Sequence, residues 1–109
     1  MSTFDLLAQA IREKKQVLAV YDNFSREMCP HALGYKDGIA KCLFYQYAGD
    51  SSGTIYPQTD WRADKNWRCM DVDKLFQVTL RDGQWYSRSK HTARQSCVDN
   101  VVVEVANWL

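Results

Sequence analysis

The sequence predicts a single α+β domain in which an N-terminal helix packs on a small, strongly bent antiparallel sheet or barrel. The chain has 109 residues, 46% of them hydrophobic and 25% charged, which suits one globular domain. A helical apolar pattern occupies residues 3–15, whereas short β-type runs separated by turn residues fill residues 17–105. One helix followed by about five or six short strands is typical of this fold class.

The helix is predicted over residues 3–15. Thr3 can begin it, because a threonine hydroxyl at the N-cap accepts a bond from a free backbone N–H. Basic residues near its end suit the negative end of the helix dipole. Its apolar side chains recur with the period of a helix, and they are Phe4, Leu7, Ala8 and Ile11.

The next segments predict a β meander. Residues 17–21 are β-branched and aromatic, and the turn-forming pair Asp22-Asn23 closes this first strand. A second strand over residues 26–35 leads to Asp37-Gly38, which favours a hairpin turn because Asp and Gly tolerate positive φ. The return strand covers residues 39–47.

The second half alternates between loop and strand. Residues 48–66 are polar and irregular and form the longest predicted loop, and long loops in compact domains often carry function. Arg81-Asp82-Gly83 repeats the chemistry of the first hairpin turn. Further strands are predicted at 67–70, 75–80, 84–86 and 98–105.

Charge and hydropathy exclude some functions and leave others open. The chain carries 14 basic and 13 acidic residues, so any attraction to nucleic acid must come from a local patch. No apolar run approaches the roughly 18 residues that a bilayer span needs. Residues 1–15 lack the apolar core of a signal peptide. We therefore expect a cytoplasmic protein that does not bind membranes.

The four cysteines, Cys29, Cys42, Cys69 and Cys97, contain no C-x-x-C pair. We interpret them as small buried apolar residues in a reducing compartment. A zinc site that includes Cys29 and His31 is an alternative, but the usual spacing of zinc ligands is missing. We expect no metal and no cofactor.

Three ordered segments resemble the WYL domain, a small module of bacterial regulators. They are residues 10–21 (AIREKKQVLAVY), 29–38 (CPHALGYKDG) and 68–75 (RCMDVDKL). The chain departs from that family at Lys41-Cys42-Leu43, which stands where the family has Trp-Tyr-Leu, and at Asp71, which replaces an arginine. No helix-turn-helix is expected, so the resemblance is to a stand-alone, divergent WYL-like domain.

The resemblance implies an Sm-like β-barrel of about five strands that senses a ligand without catalysis in a bacterial regulatory context. The ligand class that it implies is a nucleotide or single-stranded nucleic acid. Arginine can grip phosphate and an aromatic ring can stack on a base. The matching ligand-binding positions are Tyr21, His31, Arg68 and Lys74.

A basic window independently favours the same ligand class. Residues 83–98 contain no acid, and they combine aromatic, cationic and hydroxyl side chains, as single-stranded nucleic-acid sites do. The alternative is a solvated loop with a tryptophan in the core. The candidate ligand-binding residues in this window are Trp85, Arg88, Lys90, His91 and Arg94.

Other functional classes remain as alternatives. Gly49-Asp50-Ser51-Ser52-Gly53 is superficially similar to a protease nucleophile loop, but one small domain cannot supply the rest of that machinery, so we interpret it as a flexible turn. Cys97, His91 and Asp99 contain the residue types of a thiol nucleophile, without a supporting motif. A protein-interaction module that binds a partner or a second copy through exposed aromatic residues and strand edges is the main alternative. We expect no enzyme.

Overall fold

The computed structural model describes residues 1–88 and 96–106. Its one described α-helix, α1, spans Thr3–Glu13. The N-cap is Ser2 and not Thr3: the Ser2 hydroxyl accepts a bond from Asp5 N at 3.1 Å. Lys14 adopts a left-handed conformation with φ 51° and ends the helix before the predicted end.

Six antiparallel strands follow within the described residues, and two 3-10 turns interrupt them. The strands are β1 (Gln16–Tyr21), β2 (Phe24–Lys36), β3 (Ile39–Gly49), β4 (Trp67–Asp71), β5 (Phe76–Arg81) and β6 (Asn100–Glu104). The turns are η1 (Trp61–Lys65) and η2 (Val72–Lys74). The predicted hairpin turns at Asp22-Asn23 and Asp37-Gly38 are both confirmed, with positive φ at each of the four residues.

The strand order is β4-β3-β2-β1-β5, and the long strand β2 has two partners on one side. Its first part pairs with β1, and its later part, at residues 32–35, pairs with β6. Register shifts in the β2–β3 ladder, including one between Pro30 and Ala32, allow β2 to bend between these partners. The sheet of the described residues is not closed. The α+β class is therefore confirmed, and closure into a barrel is not.

The main core fills the space between α1 and one face of the sheet. Burial of this apolar surface is the dominant favourable contribution to folding. A smaller cluster lies on the opposite face, because Leu43 alternates with two core residues along β3; its buried members are Ala32, Leu43, Cys97 and Val98. The largest side chains of the main core are Leu7, Ile11, Met28, Leu33, Phe44 and Met70.

The prediction of a strand at residues 84–86 is wrong. This segment crosses the sheet and bonds to successive strands instead of running beside one. Gln84 O accepts from Gln16 Nε2 in β1 at 2.7 Å, and Tyr86 N donates to Cys29 Sγ in β2 at 3.4 Å. We call residues 84–88 the crossing segment.

The structure corrects the interpretation of the cysteines. Cys69 and Cys97 form a disulfide with their Cα atoms 5.6 Å apart, whereas Cys29 and Cys42 are free and buried. Burial raises the pKa of the Cys29 thiol to about 11, so it stays protonated. Disulfides persist mainly in oxidising compartments, so the cysteines no longer favour the cytoplasm.

Two structural features are absent from residues 1–88 and 96–106. No group of three or more His, Cys, Asp or Glu side chains is placed to hold a metal ion there. No helix in that part of the chain is long and apolar enough to cross a membrane.

Candidate anion-binding site

The predicted ligand-binding residues separate into two regions, and the first is sealed. His31 lies at the bulge of β2 and is fully buried. Its Nδ1 is 2.9 Å from Cys29 O, and its Nε2 is 2.8 Å from the Ser87 hydroxyl. The rings of Trp67 and Trp85 contact it, with centroids 4.7 and 4.9 Å away. We call this set the His31 cluster.

The electrostatics of the His31 cluster agree with a structural role. Burial is the main reason that the pKa of His31 falls to about 4, so the ring is neutral at physiological pH. Trp85 also packs against the main core. The hypothesis that His31 contacts a ligand therefore finds a sealed ring in place of an open one, whereas Trp85 is only partly buried.

The crossing segment ends at Arg88, which fixes the long loop in place. Arg88 Nη2 donates to Gln58 O at 2.6 Å, and Nε lies 3.4 Å from the Tyr45 hydroxyl. This guanidinium is therefore engaged within the protein. Three other candidates from the basic window lie outside the described residues, and they are Lys90, His91 and Arg94.

The second region lies where β1 ends, beside β4. Tyr21 closes β1, and its hydroxyl accepts a bond from Asp71 N at 3.0 Å. Lys74 is two-thirds exposed and pairs with Asp71 at 3.4 Å. Asp71 also bonds to Lys41, and this contact lowers the pKa of the Asp71 carboxyl below its usual value. The charge reversal at Asp71 thus partly neutralises Lys74.

Arg68, near the start of β4, donates to three backbone carbonyls. Its Nη1 donates to Lys65 O at 2.9 Å and to Trp67 O at 3.0 Å, and its Nη2 donates to Thr54 O at 3.0 Å. None of these acceptors carries a formal charge. Arg68 therefore organises the long loop while its own positive charge remains uncompensated by a direct carboxylate partner in the described chain.

Arg26 is the functional residue that the sequence reasoning missed. It pairs with Ala19 in the β1–β2 ladder and is only 4% exposed. Its guanidinium lies 5.5 Å from the ring centroids of both Tyr21 and Phe24. Arg26 lies on the face of β2 that also carries core residues. A charged residue on such a face is the sequence signal that could have indicated Arg26.

The hydrogen bonds of Arg26 also leave its charge unneutralised. Nε donates to Tyr21 O at 3.3 Å, and Nη1 donates to Gln46 Oε1 at 3.2 Å and to the Ser51 hydroxyl at 3.5 Å. Within the described part of the chain, no carboxylate accepts from Arg26, and Nη2 has no acceptor. A buried guanidinium with spare donors is a strong hydrogen-bonding site for an anion.

The two arginines affect each other electrostatically. The pKa of Arg68 is lowered by burial and then by the positive charge of Arg26. The pKa of Arg26 is lowered by burial, and nearby Asp22 opposes this shift. Two cations that raise each other's free energy favour binding of an anion between or beside them.

The residues 49–54 connect the two arginines, and we call them the 49–54 loop. Gly49 has φ +86°, and a Cβ there would lie 2.5 Å from Ser25 O, so the turn requires glycine. Ser51 contacts Arg26, whereas Thr54 O bonds to Arg68. The segment interpreted as a flexible turn is thus held by two guanidinium groups. We call Arg26, Arg68 and the 49–54 loop the arginine site.

A groove of about 400 Å³ adjoins the arginine site, and its lining includes Arg26 and the acidic residues Glu27 and Asp50. Arg81 lines it, but this guanidinium is 2.7 Å from Glu27 and also bonds to Gln16 and the Tyr47 hydroxyl. Its positive charge is therefore matched inside the protein. In the arginine site, by contrast, neither Arg26 nor Arg68 donates a hydrogen bond to a described carboxylate.

Comparison with protein-family models, with curated proteins and with solved structures finds no match to this chain.

Proposed function

We propose that this chain is a non-enzymatic module that binds the phosphate group of a nucleotide or of single-stranded nucleic acid at the arginine site. The observation that carries the proposal is the pair Arg26 and Arg68, two guanidinium groups without carboxylate partners beside one anchored loop. Guanidinium groups bind phosphate through charge-assisted, often bidentate hydrogen bonds.

The surroundings of Arg26 supply the other features that such a ligand needs. Tyr21 and Phe24 place two aromatic rings against the guanidinium, which holds its plane in one orientation. Lys74 adds an exposed cation close to Tyr21 through their shared partner Asp71. Tyr21 thus contacts Arg26 with its ring and Lys74 indirectly through Asp71, which supports its place in the proposed site.

We further infer an Sm-like barrel of the WYL type that acts in a bacterial regulatory context. Support comes from the strand order β5-β1-β2-β3-β4, the preceding helix α1 and the short η2 turn between β4 and β5. The strong bend of β2 is what such a barrel needs. The barrel would define the fold class only, and it does not itself support phosphate binding.

A protein-interaction or oligomerisation module is the second candidate, and the edge strand β5 favours it. β5 stands at one end of the strand order, and Phe76 at its start is 64% exposed. Exposed strand edges pair readily with other chains. This alternative predicts a dimer or a complex and no affinity for oligonucleotides.

The test is a fluorescence-anisotropy titration with short labelled single-stranded DNA and RNA at about 50 and about 200 mM salt. We expect saturable binding that weakens with salt, and a loss of at least about tenfold in affinity for Arg26→Gln and for Arg68→Gln. Arg26→Lys keeps the charge and should retain part of the affinity.

The matched control is Arg12→Gln, which removes an exposed arginine from α1. Circular dichroism and thermal unfolding establish that each variant is folded before it is titrated. Absence of binding at low salt would overturn the proposal, as would an equal loss in the Arg12→Gln variant. Sedimentation equilibrium of the same samples tests the oligomer alternative.

A further inference from the structure

We propose that Trp61 forms a base-stacking platform beside the arginine site, so that the ligand is a single strand of several nucleotides. This inference rests on the proposed function and extends it. Trp61 begins η1 in the long loop and is 76% exposed. A tryptophan face that packs against little of its own protein is available to stack on an unpaired base.

Trp61 is exposed on a turn that hydrogen bonds fix to the rest of the protein. Asp60 caps η1 by accepting from Arg62 N at 2.9 Å, and Ala63 is fully buried. Ala63 O accepts from the Tyr45 hydroxyl at 2.9 Å. The short helix is therefore tied to β3, and its tryptophan is held outward instead of moving with a free loop.

A second clamp fixes the other side of the loop. The Asn66 side chain accepts from Tyr56 N and donates to Tyr56 O, both at 2.9 Å. Asn66 O accepts from Gln46 N at 3.1 Å. A pre-organised platform loses little conformational freedom when a ligand binds, which favours affinity.

A cation lies beside the exposed ring of Trp61. The Lys65 ammonium lies 5.8 Å from the Trp61 ring centroid, and within the described chain it pairs with no carboxylate. The Arg62 guanidinium lies 4.7 Å from the ring centroid of the partly exposed Tyr56, but Asp60 matches its charge at 2.7 Å. A nucleic-acid strand needs this combination, since aromatic faces stack on its bases while cations neutralise its phosphates.

Arg68 links this platform to the arginine site. One end of its guanidinium donates to Lys65 O in η1, and the other donates to Thr54 O in the 49–54 loop. A mononucleotide held by the two arginines has one base, whereas a strand that continues from the same phosphate supplies further bases for Trp61. The platform therefore distinguishes a polynucleotide from a single nucleotide.

The test compares two probes on the full chain: fluorescein-labelled oligo(dT) of about 12 nucleotides, measured by anisotropy, and ATP, measured by calorimetry. We expect Trp61→Ala to weaken oligo(dT) binding by about tenfold and to leave ATP affinity unchanged. Trp61→Phe should retain most of the affinity, since phenylalanine also stacks. Phe76→Ala, which removes an exposed aromatic ring from β5, is the matched control and should change neither affinity.

The outcomes separate the two proposals. If neither probe binds, the proposed function fails and this inference fails with it. If both bind and Trp61→Ala changes nothing, the platform is overturned while the phosphate site stands. Tighter, Trp61-dependent binding of a poly-glutamate peptide than of oligo(dT) would also overturn it, because the partner would then be an acidic protein segment.

Discussion

His31 and Arg26, the central residues of the His31 cluster and the arginine site, are both buried basic side chains beside aromatic rings, but they differ in how their polar atoms are used. Both ring nitrogens of His31 have partners, and the ring is fully buried between two tryptophans. Arg26 is nearly as buried, yet it donates no hydrogen bond to a described carboxylate, and Asp22 acts on its charge only from nearby. Residue type alone therefore does not distinguish a core from a site.

The difference teaches which observation identifies a ligand site. A neutral buried histidine whose two ring nitrogens both bond to the protein has already replaced its water partners. A ligand therefore offers it no further hydrogen bond. A buried cation without a counter-charge still carries part of its desolvation cost. An anion can remove that cost, and this is why the arginine site and not the His31 cluster carries the proposal.

Replacing His31 by Ala should produce the largest effect on stability. The change leaves a cavity between Trp67 and Trp85 and removes the hydrogen bond between His31 Nε2 and the Ser87 hydroxyl. We expect the free energy of unfolding to fall by about 3–5 kcal/mol, measured by urea denaturation. The folded fraction should bind oligo(dT) as the wild type does. A loss of affinity in fully folded protein would instead make His31 part of the site.

Acidification should destabilise the protein because His31 is buried in its neutral form. The pKa of His31 is about 4 in the folded protein and 6.5 when unfolded, so between these values the unfolded state binds the extra proton. Stability is therefore lost as pH falls from 6.5 to 4, by up to about 3 kcal/mol. The measurement is urea unfolding across this range, with His31→Gln as reference. Parallel curves for the two proteins would show that His31 is not sealed.

The parts of the fold with local signals were predictable. The positive φ values of Asp22-Asn23 and Asp37-Gly38 follow from residue type, and so do the hairpins that they join. The path of the crossing segment depends on bonds to Gln16 and Cys29, more than 50 residues away. No local pattern encodes such contacts, which is why a strand was predicted there.

The disulfide and the arginine site were hidden for the same reason. Cys69 and Cys97 are separated by 28 residues and carry no pairing motif, so only the fold brings them together. The order of β2, β3 and β4 brings Arg26 and Arg68 to the same 49–54 loop. Sequence reasoning selected Arg68 from a family resemblance, but it had no means of pairing it with Arg26.

Tyr21 offers the smallest and sharpest test, because it was predicted to contact the ligand while the structure gives its hydroxyl a partner in the protein. Tyr21→Phe removes the acceptor of Asp71 N but keeps the ring beside Arg26. We expect a loss of about 1 kcal/mol in the free energy of unfolding and no change in oligo(dT) affinity. Tyr21→Leu removes the ring as well, so it should weaken binding through the orientation of Arg26. If Tyr21→Phe alone reduced affinity as much as Arg26→Gln, the Tyr21 hydroxyl would bond to the ligand. Its bond to Asp71 N would then belong to the ligand-free protein only.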